Sequence, residues 1–266
     1  MTLIKEQVQL YVRHDPPINT AKAYFNDHGS THIGAVLSNA RRISSRAYIA
    51  TFPIEEQAIL CGAIWLHDVG LFVHPVGINE VDLRANHAQY AADFIDDLQR
   101  RNSNAISPQL AQLLGQVCLA HRRDFDLSGM TASPRIPECE VWIRGDLIAG
   151  FLRVCDAADV GQGRTPVALL ERWGDALPES SRSHWRGHGL IHSSTLSEQT
   201  GEVLFHVIDD ADLRDANLRE LYVAATDDLD STRQVLVRHG LRPWSVRYEW
   251  RGDYYTPGSM YAQETK

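Results

Sequence analysis

A chain of 266 residues, 44% hydrophobic and 23% charged, suits one large domain or a domain with an appendage, with the composition of an ordinary soluble protein. Its formal charge of −8 argues against a general DNA- or RNA-coating role, which calls for a basic surface. No run approaches the roughly 18–20 apolar residues of a membrane span. The N-terminus lacks the basic-then-apolar layout of a signal peptide. Cys61, Cys118, Cys139 and Cys155 show no paired spacing, so they read as reduced packing residues of a cytoplasmic protein. Positive charge is almost all arginine, with lysine only at Lys5, Lys22 and Lys266.

Residues 1–24, with Pro16-Pro17, read as an amphipathic lead-in. Ile33, Val36, Leu37, Ala40 and Ile43 then recur at helical spacing, with His32 on the same face and Asp27 or Ser30 as candidate caps. A second helix follows Pro53, opens with Glu55-Glu56, and is apolar nearly all round, so it should be central. It ends in His67-Asp68-Val69-Gly70. Residues 71–82 read as a loop, and a third helix is predicted from about Arg84 to Leu98 with His87 on its apolar face. A fourth starts near Pro108 and carries Leu114, Val117, Cys118 and His121 inward. Residues 122–140 form a polar loop long enough to be a lid. A fifth helix is predicted over about Trp142 to Val160, with Asp156 and Asp159 set into an apolar run.

From Trp173 the pattern changes. Gly189–Leu196 and Glu202–Ile208 read as a β-hairpin, Asp212 to about His239 as a helix, and Trp244–Trp250 as a strand. The expected fold is mainly α: a helical bundle over residues 1–170 with a small C-terminal α+β appendage, 171–266, packed on it. Trp244, Tyr248, Trp250, Tyr254 and Tyr255 suit the core of that appendage or a self-association surface, which leaves a homodimer through the C-terminal region open.

The polar residues on apolar helix faces are His32, His67, Asp68, His87, His121 and Asp156. Burying any one of them is costly unless it is paired or binds a metal. A helical bundle can point all six into one pocket. Imidazoles with carboxylates make a site of intermediate hardness, suited to manganese or iron, with zinc, cobalt or nickel as further candidates.

His32, then His67-Asp68, then Asp156 in Leu152-Arg153-Val154-Cys155-Asp156-Ala157-Ala158-Asp159 resemble the ordered signature of the HD superfamily of metal-dependent phosphohydrolases, over roughly residues 25–165. Asp27-His28-Gly29-Ser30-Thr31-His32, Arg84-Ala85-Asn86-His87, Ala120-His121-Arg122 and His184-Trp185 also look like HD-type modules of bacterial conflict and signalling proteins. The resemblance implies an HD-type bundle in which His32, His67, Asp68 and Asp156 are primary ligands. Asp68 would bridge two metals, with His87 and His121 on the second. The activity implied is hydrolysis of a phosphate ester of a nucleotide or short single-stranded oligonucleotide through a metal-bound hydroxide. Arg84, Arg122 and Arg164 would clamp substrate phosphates, with Arg84 and Arg122 acting beside Asp68 in catalysis and His28 as a further substrate contact. Leu71 stands where the cyclic-dinucleotide branch often has lysine, and that branch's Gly-Tyr-Pro element is absent, which disfavours such substrates. The alternatives are a non-catalytic nucleotide-sensing module and a di-iron oxygenase. His74, His184, His188, His192 and His206 read as structural or surface residues.

Overall fold

The structure, a computed structural model, describes residues 28–104, 106–130, 135–165, 171, 177, 179–208, 215–250 and 253–255. The lead-in expected over residues 1–24 and the candidate cap Asp27 lie outside these, as do the side chains of Trp250, Tyr254 and Tyr255. The elements are α1 (Ser30–Ile43), α2 (Ile54–Leu66), α3 (Glu80–Arg101), α4 (Pro108–Leu119), α5 (Gly145–Ala157), α6 (Glu179–Gly189), β1 (Ile191–Ser197), β2 (Glu202–Val207), α7 (Ala216–Arg238), β3 (Ser245–Trp250) and β4 (Asp253–Tyr255). The architecture is mainly helical with a small C-terminal sheet, as the sequence predicts.

The helix boundaries follow local chemistry. Gly29 occupies the cap position of α1 without a side-chain hydrogen bond, and Ser30 lies inside the first turn. α3 starts four residues before the predicted Arg84 because the Asn79 side chain accepts from the Asp82 N–H at 2.9 Å. Ser107 caps α4 by accepting from the Leu110 N–H at 3.1 Å, with Pro108 at its first position. α4 ends at Leu119, so His121 sits just beyond the helix rather than within it. α5 begins at Gly145, and Trp142, expected inside it, is 73% exposed.

α2 is central. Leu60, Ala63, Ile64 and Leu66 are buried, and they join one hydrophobic cluster with Val36 of α1, Phe151 of α5, Leu229 of α7, Phe205 of β2 and Trp244. The sheet runs β1-β2-β3-β4. β1 and β2 pair antiparallel, with Gly201 at φ +72° in the turn between them. β2 and β3 pair parallel, so the chain must cross over between them, and α7 is that crossover. α7 therefore covers the sheet and also packs along α5, which carries Asp156.

Three contacts lock the bundle around α2. Glu56, fully buried, accepts a two-pronged contact from Arg144 (Nε to Oε1 2.9 Å, Nη2 to Oε2 2.6 Å) and the Arg144 backbone N–H at 2.7 Å, fixing the start of α5 against α2. Arg153 of α5, 1% exposed, donates to the carbonyls of Ala120 (2.5 Å), Arg122 (2.5 Å) and Phe125 (3.0 Å) and to Ser231 Oγ (2.6 Å). That guanidinium holds the segment carrying His121. Gly70 is the third. A Cβ there would lie 1.9 Å from the His87 carbonyl oxygen and 2.8 Å from the Ala91 nitrogen, so the turn after Asp68 rests directly on the α3 backbone.

Replacing Arg153 with methionine leaves several buried carbonyls without a donor and should lower stability by about 3 kcal/mol, read as a reduced urea midpoint. Gly70→Ala should force α3 away and cost about 1–3 kcal/mol. Gly34→Ala, at an exposed helical site where an added Cβ meets nothing within 4 Å, should instead raise the melting temperature, by up to about 1 kcal/mol of stability.

Candidate metal centre

The first turn of α1, the end of α2, α3, the end of α4 and the C-terminal half of α5 bring the predicted ligands together. His32, His67 and Asp156 form one group and Asp68, His87 and His121 another, with the ligand atoms of each group within 4.8 Å of one another. Asp68 faces both. Its Oδ2 is 3.2 Å from His67 Nε2 and 3.5 Å from His32 Nε2, while its Oδ1 is 3.6 Å from His87 Nε2 and 3.8 Å from His121 Nε2. Asp156 Oδ1 is 3.3 Å from His32 Nε2.

The tautomers follow from the outer hydrogen bonds. His67, His87 and His121 each place Nδ1 against the carbonyl three residues earlier: Ile64 at 2.9 Å, Arg84 at 2.7 Å and Cys118 at 2.5 Å. A carbonyl only accepts, so each Nδ1 carries hydrogen and each neutral ring turns an Nε2 lone pair inward. His32 makes the same arrangement with a carboxylate, Nδ1 lying 2.6 Å from Asp159 Oδ2. The inner nitrogens thus face each other in pairs, His32 and His67 Nε2 3.3 Å apart and His87 and His121 Nε2 3.0 Å apart. Facing lone pairs repel unless a cation lies between them. Burial, reinforced by His67 and His87, pushes the pKa of His121 down to about 4, so a proton is a poor candidate for that cation at neutral pH. The donor set fits divalent transition metals, and outer bonds of this kind orient and strengthen imidazole ligands.

Burial also works against charge on His32. Its contacts with Asp156, Asp159 and Asp68 overcome that and raise its pKa to about 10, which marks the first group as a strong cation well. Asp68 and Asp156 stay ionised. Burial opposes their charge, but the surrounding imidazoles hold both carboxyls below the usual range.

The other expected residues are distributed around this centre. His28 places Nδ1 2.7 Å from Asp68 Oδ2, and Arg164 Nη2 lies 3.2 Å from His28. Arg84 and Arg164 line a cavity of about 220 Å³ together with Asp68, His87 and Asp156. Arg122 lies to one side, forked onto Asp124 at 2.8 and 2.7 Å, and lines a shallower neighbouring hollow. The adjacent Arg123 lines both spaces, held by Asp228 (3.0 Å) and Asp227 (3.2 Å) of α7.

Two histidines read from sequence as structural or surface also line the cavity. His184 and His188 project from α6, their Nε2 atoms 3.1 Å apart. The Gly161 N–H donates to His188 Nδ1 at 3.3 Å, so His188 donates from Nε2 to His184. Spacing of four on a helix was the available signal, but α6 itself had no apolar periodicity to reveal it.

The sequence matches the family described as HD-CE over residues 22–237, about four fifths of the chain. No curated protein matches it. No helix among the described residues is long and apolar enough to cross a membrane.

Burial depresses His28 and His121 to about 4 and His184 to about 3 from an ordinary 6.5. A histidine with a lowered folded pKa binds fewer protons folded than unfolded across that interval, so its stabilising contribution is lost as pH falls. Metal-free protein should therefore lose melting temperature progressively from about pH 6.5 towards pH 4. His184→Asn should flatten that profile.

Proposed function

Because the chain belongs to the HD-CE family, an HD-type domain, we propose that it is a metal-dependent phosphohydrolase acting on a phosphate ester of a nucleotide or short oligonucleotide, as a cytoplasmic protein. The observation that carries this reading is the single carboxylate of Asp68 with one oxygen turned to each pair of imidazoles, at the wall of a cavity that three arginines also line. His32, His67 and Asp156 would hold one metal, His87 and His121 the other, and Asp68 both. Manganese and iron suit this mixture of nitrogen and oxygen donors best. When bound, the pair would supply Lewis-acid polarisation of a phosphoryl oxygen and lower the pKa of a water for in-line displacement.

The protein's own groups prepare the site for that chemistry. Asp159 and the three carbonyls keep a proton on each outer imidazole nitrogen and so keep the inner nitrogens available. His28 donates to Asp68 and steadies its orientation. Arg84 and Arg164 supply fixed positive charge for phosphate oxygens. Leu221, Ala224 and Ala225 of α7 close one wall and limit water, which strengthens every charge interaction inside.

Elemental analysis should find about two metal equivalents in the wild type and about one in His87→Ala, since that variant loses a ligand of one group only. Asp68→Asn should lower phosphoesterase turnover by at least about 10³-fold because both metals depend on it. Unchanged turnover in Asp68→Ala would overturn the reading.

A further inference from the structure

The metal centre does not sit at the end of a pocket. The cavity of about 220 Å³ and the shallower hollow of about 460 Å³ share one edge, formed by His121, Arg123, Asp156 and Asp228. Two of these four are candidate ligands, one from each group: Asp156 stands with His32 and His67, and His121 with His87 and Asp68. A phosphoryl group lying against both groups therefore opens onto both spaces.

We propose that the substrate is a phosphodiester that straddles this edge, with one ester arm in the inner cavity and the other along the outer hollow. This rests on the hydrolase reading above and narrows its substrate class. A monoester has one arm and would use one space. Guanidinium groups flank the edge on both sides, with Arg84 and Arg164 inside and Arg122 outside. A monoester concentrates its charge on the reacting phosphate and has no use for cations on both flanks. An oligonucleotide-like chain carries charge on each side of the bond that is cut.

Arg123 stands between the two spaces and is the specificity-determining residue. Asp227 and Asp228 grip its guanidinium from α7, at 3.2 and 3.0 Å, which holds the side chain at the shared edge. The reaction is ordinary hydrolysis: water adds to phosphorus, one P–O ester bond breaks, the leaving oxygen takes a proton, and a monoester and an alcohol are released.

The test compares bis(p-nitrophenyl) phosphate with p-nitrophenyl phosphate on manganese-loaded protein. The diester should show the higher kcat/KM by about tenfold or more, and Arg123→Ala should shrink the diester-to-monoester ratio by about tenfold. Calorimetry on metal-stripped protein gives a second readout. The thymidine dinucleotide TpT should bind more tightly than thymidine monophosphate, and Arg123→Ala should narrow that difference by about tenfold. Preference for the monoester, or a ratio that Arg123→Ala leaves unaltered, would overturn the proposal. If metal-loaded protein turns over neither ester, the hydrolase reading fails, and the binding comparison still decides whether the cleft is built for a diester.

Discussion

A carboxylate shared between two sets of imidazoles is the constraint on which this structure depends. Asp68 is 7% exposed and lies close to five histidines drawn from well-separated parts of the chain. An ionised carboxylate in such a place is tolerable only if its surroundings are held in register, because each missing partner would leave buried charge uncompensated. The helical core supplies that register. α2 delivers His67 and Asp68 at its end, and α1, α3, α4 and α5 are packed so that their own polar residues meet the same point.

Holding five segments in register requires rigid ties, and the structure places them at both ends of α2. Glu56 and Arg144 join the start of α2 to the start of α5, so the helices leading to His67 and Asp156 move together. Arg153 reaches from α5 to the chain following α4 and fixes the position of His121 relative to Asp156. Gly70 lets the chain after Asp68 lie on the backbone of α3, bringing His87 within reach. None of these residues lies among the candidate metal ligands, yet each sets the distance between two that do.

The ligands were legible in the sequence because each interrupts an apolar periodicity: a histidine or aspartate on a buried helix face is visible against its neighbours. The central position of α2 and the order hairpin, helix, strand could be read for the same reason. What escaped was whatever depends on direction or on distant partners. Arg122 and Arg123 are indistinguishable in one dimension, and only the carboxylates of α7 show which one is held at the cavity edge. His184 and His188 lie on a largely polar helix, and their place at the cavity wall is set by tertiary packing. Arg153 sits in an apolar run where its partners are carbonyls, which carry no side-chain signature. Asn79 shows that cap chemistry, when weighted, moves a boundary by several residues.

The outer hydrogen bonds of His67 and His121 fall at helix ends, where the last carbonyls of a helix lack their usual N–H partner four residues on. Each imidazole thus serves two masters, terminating its helix through Nδ1 and presenting Nε2 to the centre. A cation held at Nε2 would polarise the ring, strengthen the Nδ1–H as a donor and tighten the helix end behind it, making helix termination and occupancy one thermodynamic event. Withdrawing the cation would loosen the ends of α2 and α4 together, so fraying at these two termini becomes a physical gauge of whether the centre is filled.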